Sequence, residues 1–190
     1  MVRAICVFCS SSDALAPEYF GAAAELGTLI GARGCELVYG GANVGLMGRL
    51  ARAAKEAGAR VTGVIPRSFY ARGLAFDGAD ELILTDGLRE RKAAMEERAE
   101  AFIALPGGFG TLEETLEAIT LKQIGFHDRP VVFVNTSGFY DGLAGLFERL
   151  YELDFAKPDS RALYHLAGGP REAMAYIDAY VPAAVSGKWF

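Results

Sequence analysis

This chain has little cysteine, less histidine and no excess of positive charge, and each scarcity removes a class of function. Its three cysteines, Cys6, Cys9 and Cys35, are odd in number and too sparse for a disulfide framework. Cys6 and Cys9 form a lone CxxC, with no second pair and no neighbouring histidines to complete a zinc set. The two histidines, His127 and His165, lie far apart in sequence, so no metal site is expected. Cys6 falls inside an apparent strand, and the pair is expected to be two small residues, at least one of them buried. The formal net charge of -5 excludes the basic surface that non-specific nucleic-acid binding requires. No apolar run approaches the ~20 residues of a membrane helix. The N-terminal MVRAICVFC is apolar but short and lacks a cleavage site, so it reads as a first strand. A cytoplasmic protein with neither nucleic-acid nor membrane partners is expected. Long linkers, repeats and low-complexity tracts are also missing, and the 190 residues are expected to form a single domain.

What the chain does have is a regular alternation of apolar runs and helical patterns. Strands are predicted at Arg3–Phe8, Glu36–Tyr39, Arg60–Ile65, Glu81–Leu84, Ala101–Leu105 and Val131–Asn135, with a short seventh near Ala162–Leu166. Helices are predicted at Pro17–Ala32, Gly45–Ala57, Gly87–Ala99, Thr111–Ile124, Phe139–Glu152 and Pro170–Tyr180. Pro17 and Pro170 suit first-turn positions, and Gly34 and Gly58 suit helix stops. The alternation predicts an α/β, Rossmann-like, doubly wound parallel sheet of about seven strands covered on both faces. Such folds bind ligands at the carboxyl ends of their strands. Between them, residues 66–79 carry Phe69, Tyr70, Arg72 and Phe76 with weak periodicity. They read either as a partly ordered loop over the site or as an ordinary surface connection.

Two glycine-rich turns each link a strand to a helix. The first to matter is AFIALPGGFGTLEETLEAIT, residues 101–120. A helix start exposes unpaired N–H groups and partial positive charge, and glycines let a ligand approach the backbone. The combination makes an anion site, most often for phosphate. Thr111 is expected to serve as both helix cap and phosphate ligand. Glu114 follows one turn in, on a stripe with Ala118 and Leu121, whereas Glu113 and Glu117 share another face. Glu114 is therefore the inward acid, or else a charge that favours the helix N-terminus. The second turn, YGGANVGLMG, places Gly41, Gly45 and Gly48 at spacings of four and three. That spacing fits neither the dinucleotide fingerprint nor, without a Lys-Ser/Thr pair, a P-loop. Its glycines either make a tight turn or flank, with the first turn, one nucleotide.

The helix at Gly87–Ala99 supplies cations. Leu88, Met95 and Ala99 share one face, and Arg91 and Lys92 fall on or beside it. An inward cation needs a partner, which is a ligand phosphate or Glu114. The alternative is surface pairing with Glu96.

These residues resemble the Lonely Guy family, the cytokinin riboside 5′-monophosphate phosphoribohydrolases, whose signature is PGGxGTxxE with an upstream Arg-Lys pair. Here it stands as Pro106-Gly107-Gly108-Phe109-Gly110-Thr111-Leu112-Glu113-Glu114, preceded by Arg91-Lys92 and Met95. CVFCSSS at Cys6–Ser12, VYGGANVGLMG at Val38–Gly48, GVIP at Gly63–Pro66 and His127-Asp128-Arg129-Pro130 extend the match over nearly the whole chain. Ser10 departs from the family's usual glycine, and Leu88-Arg89 from a frequent Met-His. The resemblance implies hydrolysis of the N-glycosidic bond of a purine nucleoside 5′-monophosphate, giving free base and ribose 5-phosphate, with no cofactor. It assigns catalysis to Arg91 and Glu114. It assigns substrate binding to Lys92, Gly107, Gly108, Phe109, Gly110, Thr111, Leu112 and Glu113, with Gly41, Gly45 and Met47 from the second turn. It also implies a homodimer in which Thr120 completes the site from the partner subunit.

Three rivals remain at this stage. A lysine decarboxylase would need a Schiff-base lysine, and Lys92 is the lysine near the motifs. A non-catalytic nucleotide-binding protein would show the same glycine turns but needs no inward acid. A general AMP nucleosidase in salvage would share the chemistry and differ in the base.

Overall fold

The computed structural model describes residues 2–183. Seven strands alternate with helices: Ala4–Phe8 (β1), Glu36–Tyr39 (β2), Val61–Pro66 (β3), Glu81–Thr85 (β4), Ala101–Ala104 (β5), Val131–Val134 (β6) and His165–Ala167 (β7). The helices are Pro17–Ala32 (α1), Gly45–Glu56 (α2), Arg67–Tyr70 (α3), Leu88–Arg98 (α4), Phe109–Gln123 (α5), Asp141–Glu152 (α6) and Pro170–Asp178 (α7). The sheet runs β4-β3-β2-β1-β5-β6-β7, and every neighbouring pair is parallel. The Rossmann-like α/β fold expected from the alternation is therefore present.

Strand alternation decides what each face buries. In β1, Ile5 and Val7 point into a core with Leu37, Tyr39 and Ile103, closed by α1, α2 and α7. Cys6 and Phe8 point the other way, against Phe102, Met95 of α4 and Ala118 of α5. A third cluster seats Phe147 and Tyr151 of α6 on Phe133. Burial on both faces explains why the strands read as continuous apolar runs rather than alternating ones. It also settles the CxxC: Cys9 belongs to the first core and Cys6 to the second, so the thiols sit on opposite faces of the sheet. All three cysteines are buried free thiols.

Several boundaries differ from expectation. Residues Pro158–Leu163 form 3-10 turns, which delays β7 to His165–Ala167 instead of 162–166. A second 3-10 turn at Thr136–Gly138 delays α6 from Phe139 to Asp141. The weakly periodic segment 66–79 is partly ordered: it holds the single turn α3, and Ala75 bridges Ala42 across the second glycine turn. Among the described residues no helix is long and apolar enough to cross a membrane.

The order of the strands positions the site. From β1 the chain moves outward through β2, β3 and β4, then returns to β5 on the other side of β1. The crevice at that reversal, beyond the carboxyl ends of β1 and β5, is where open parallel sheets bind ligands.

Phe102 anchors this central strand pair. It is fully buried, stacks on Phe8 at 6.1 Å and tilts against His127 at 5.3 Å. Phe102→Ala is expected to cost about 3–5 kcal/mol, the range for emptying an aromatic site in a packed core. The check is a lower urea midpoint at unchanged m-value.

Candidate active site

The loops leaving β1, β2 and β5 meet the first turns of α4 and the 67–74 connection around a cavity of about 630 Å³. Its wall includes Met47, Arg91, Lys92, Gly108, Thr111 and Glu114. The two glycine turns thus do face one space, yet they use their helix starts differently.

At α5 the helix begins at Phe109, with Gly108 as an extended N-cap and no side-chain cap bond. The first intrahelical bond is Leu112 N–H to Gly108 C=O, at 3.1 Å. The amides of residues 108–111 therefore have no acceptor within the helix and point out of its N-terminus. Thr111 is not the cap expected from sequence. It lies two residues inside the helix and is 4% exposed, and a Cβ on Gly107 would collide with its side chain. Gly107 is small because Thr111 tucks beneath it.

At α2 the helix start is already occupied by protein. The Gly45 amide donates to Asp13 Oδ1 at 2.8 Å, and the Leu46 amide donates to the Ser10 carbonyl at 3.0 Å. Gly45 has φ +57°, and a Cβ there would strike the Ser11–Ser12 backbone. Gly41 has φ +76° and packs on Ile65 and Val64. Both conformations lie in the left-handed region that favours glycine. The second turn is thus stitched to the loop after β1, and Asp13 fills the anion position at its helix N-terminus.

Between the two turns sits a buried ion pair. Arg91 Nη1 donates to Glu114 Oε1, and the side chains are only 12% and 11% exposed. Arg91 Nε donates to the Val64 carbonyl at 3.0 Å. Burial pushes the Glu114 carboxyl above its ordinary value, and the Arg91 charge and hydrogen bond pull it partly back. Lys92, next along α4, reaches across to Glu113 and Glu117. Burial draws its ammonium down, but those two carboxylates outweigh it and hold Lys92 above the usual value. Glu113 and Glu117 share a partly solvated face, as their spacing predicts, and from it they clamp this lysine. Neither cation pairs with Glu96.

The expected residues separate into two sets. Arg91, Lys92, Gly108, Phe109, Gly110, Thr111, Glu113, Glu114 and Met47 line the cavity. Gly107, Leu112, Gly41 and Gly45 shape it from outside its wall. Thr120 lies elsewhere, on the exposed side of α5, where its hydroxyl bonds the Leu116 carbonyl at 2.7 Å. It lines a second groove of about 480 Å³ with Leu116, Gln123, Leu150 and Phe155. Leu88 was expected to face inward with Met95 and Ala99. It is 57% exposed at the cavity mouth, because α4 begins there and its first turn overhangs the sheet.

The sequence gives no site role to the wall formed by Cys9, Ser10, Ser11, Ser12 and Asp13, whereas Phe69 and Arg72 from the 67–74 connection line the cavity as the loop-over-the-site reading of residues 66–79 expects. A hydroxyl-rich run directly after a fully buried strand was the available signal for that wall.

Comparison with known proteins adds to this geometry. A family described as "Possible lysine decarboxylase" matches residues 47–177. The chain is 42% identical over 180 residues to a cytokinin riboside 5′-monophosphate phosphoribohydrolase of Oryza sativa subsp. japonica, covering 95% of this chain and 74% of the relative. It is 41% identical over 180 residues to an enzyme of the same name from Arabidopsis thaliana, covering 95% and 84%. Among solved structures, a molybdenum cofactor binding protein from Rippkaea orientalis superposes with a TM-score of 0.72 at 26% identity, covering 94% and 97%. A Moco carrier protein from Chlamydomonas reinhardtii superposes with a TM-score of 0.71 at 26% identity, covering the same shares of the two chains.

The ion pair makes a pH-dependent stability prediction. Arg91→Ala removes the two largest of the effects that lower the Glu114 pKa, leaving the weaker one of the Lys92 charge, so that pKa rises further above its unfolded value of about 4.5. A raised folded pKa gives stability that is present at acid pH and lost as pH rises through it. The deficit of Arg91→Ala relative to wild type should therefore grow from pH 5 to pH 8, and Glu114→Gln in the same chain should recover much of it at pH 8. Urea midpoints at the two pH values check this. A deficit that shrinks toward pH 8 would contradict the assignment.

Proposed function

The chain belongs to the Lonely Guy (LOG) family of cytokinin riboside 5′-monophosphate phosphoribohydrolases, and from that premise we propose how its residues hydrolyse the N-glycosidic bond to free cytokinin base and ribose 5-phosphate. The observation that carries the reading is the buried Glu114 carboxylate, paired with Arg91, one turn inside the helix whose N-terminus is open to anions.

The amides of residues 108–111 and the Thr111 hydroxyl bind the 5′-phosphate at the α5 N-terminus. Arg91 orients the acid and contacts the ribose. Lys92, fixed by Glu113 and Glu117, adds positive charge to the same wall. Met47 and Leu88 offer apolar surface to the base, and Phe109, exposed at the mouth, borders the ribose side. Binding the phosphate, which does not react, helps place the scissile bond against Glu114.

Cleavage breaks the bond between C1′ and the base nitrogen, and the base leaves with the electron pair. Positive charge develops on the ribose ring, as in other glycoside cleavages. The ionised Glu114 stabilises that charge and takes a proton from the water that attacks C1′. The new C1′–OH completes ribose 5-phosphate, and the proton ends on the departing base. Both halves of the step need an ionised Glu114, which fixes the acid limb of the rate profile.

The description "Possible lysine decarboxylase" calls for a lysine able to form a Schiff base with pyridoxal phosphate. The residues do not fit that group. Lys92, on the cavity wall, is held protonated between two carboxylates, the wrong state for a nucleophilic amine. Lys122 is lowered by burial to about 8, but it is 11 residues beyond Thr111, about 16 Å along α5 at the helical rise, and lies under Tyr180.

We place the protein in the cytoplasm, in keeping with its unpaired thiols. We also assign Thr120 to the site of a partner subunit in a homodimer. Its groove carries exposed Leu116 and Phe155, apolar surface that an interface would cover.

Two measurements test the scheme. Wild-type protein should release ribose 5-phosphate from AMP and from N6-isopentenyl-AMP, and the ratio of the rates gives the base preference. Glu114→Gln should keep nucleotide binding and lose turnover by at least ~100-fold, the lower range for a general acid–base group. Binding without release by wild type would favour a carrier or sensor. For the dimer, mixing Glu114→Gln with Thr120→Arg should regain about a quarter of wild-type activity, since half the dimers would then hold one intact site. No recovery on mixing, with each variant folded and dimeric, would place Thr120 outside the site.

A further inference from the structure

Gly40, the first glycine after β2, has a φ outside the left-handed region, so its backbone suits any residue. The reason for glycine there is spatial. A Cβ on Gly40 would fall far inside contact with Arg91 Nη2 and 2.8 Å from Met47 Sδ. The other two faces of the guanidinium are already committed, Nε to the Val64 carbonyl and Nη1 to Glu114. The guanidinium therefore lies in a slot with Val64 on one side, Glu114 on the second and the bare Gly40 backbone on the third. A methyl on the third side must push the guanidinium and Met47 Sδ from where they sit, and the shift pulls on the bonds to Val64 and Glu114.

We propose that Gly40 is a positioning residue for Arg91, and that the second glycine turn acts in this reaction as the mould that seats the arginine rather than as a phosphate cradle. The occupied α2 N-terminus fits this role: Asp13 and Ser10 hold its amides and lock the turn in place. The connection after α3 adds a further tie, with Asn43 N–H bonded to the Leu74 carbonyl at 2.8 Å and Phe76 N–H to the Gly41 carbonyl at 3.0 Å. A turn fixed on both sides cannot retreat from an added Cβ, so the arginine must. This inference rests on the assignment of Glu114 and Arg91 to catalysis.

The test is Gly40→Ala, read by kinetics and by crystallography. Displacing Arg91 removes the charge that holds the Glu114 pKa down, so the acid limb of kcat should move to higher pH. At pH 7, kcat should fall at least ~10-fold and KM for AMP should rise by a smaller factor for the lost ribose contact, because the larger loss is of an interaction made in the transition state. The crystal structure should show Arg91 parted from Glu114 or from Val64. If Gly40→Ala poorly folds, Gly40→Ala/Met47→Ala removes the second contact and keeps the one with Arg91. Wild-type kinetics in either variant would overturn the proposal, as would a loss of activity with the acid limb unmoved, or an Arg91 still bonded to both partners. If wild type itself releases no ribose 5-phosphate, the reaction assignment fails, and the crystal structure of the variant still decides whether Gly40 seats Arg91.

Discussion

The buried pair of Arg91 and Glu114 is the constraint around which the rest of this site is arranged. Moving two ions out of water costs several kcal/mol each, and attraction offsets this only when geometry is good and remaining polar atoms are bonded. The fold meets those terms with distant parts of the chain. Residue 91 comes from the helix before β5 and residue 114 from the helix after it, on the same face of the sheet. Val64 at the end of β3 accepts the guanidinium edge, and Gly40 after β2 clears space for it. An isolated pair would be poor evidence of function, because replacing it with apolar residues often stabilises a protein. Here the pair lines a cavity, beside a helix N-terminus whose amides bond no group among the described residues, and retaining the charges there makes sense as chemistry.

The two glycine turns show that similar sequences need not do similar work. Both follow a buried strand and precede a helix. At α5 the terminal amides are left open, whereas at α2 Asp13 and Ser10 take them. The difference arises in the loop after β1, which crosses between the turns and gives a backbone carbonyl and a carboxylate to only one of them. Since β1 is central in the sheet, with β2 and β5 as its neighbours, that loop can reach both exits. It supports the second turn and lines the cavity in front of the first.

Much of this was legible from residues alone, and what was not has a physical reason. Alternating apolar runs and helical patterns predicted the parallel sheet, because strands covered on both faces have few ways to be anything else. Glu114 was separable from Glu113 and Glu117 by helical spacing. Its pairing with Arg91 was legible only as one of three options, since nothing local links residues 91 and 114. The helix start at Phe109 rather than Thr111 was missed because Gly108 caps with its backbone, which leaves no side-chain signature. Leu88 was placed inward by periodicity, yet periodicity gives a face and not how far the core extends beneath it. The 3-10 turns before β7 and α6 carry no distinct period at all.

The electrostatics of the site also bear on how an anionic substrate is accommodated by an acidic protein. A phosphate brings negative charge toward a carboxylate whose pKa is already raised by burial, and a like charge raises it further. Protonated, Glu114 could neither stabilise a ribosyl cation nor accept a proton from water. The site therefore needs positive charge that acts on phosphate and acid together. In the proposed scheme the α5 N-terminus supplies part of it, as a fixed dipole whose open amides bind the phosphate while Glu114 sits about one turn behind them. Arg91 supplies the rest at the carboxylate itself. Lys92 could in principle compete for Glu114, but Glu113 and Glu117 hold it aside. That arrangement leaves Arg91 as the cation hydrogen-bonded to Glu114, seated against the bare backbone of Gly40. The net charge of -5 is then no obstacle to binding a nucleotide, because within a Debye length of the reacting bond the field is set by these few groups.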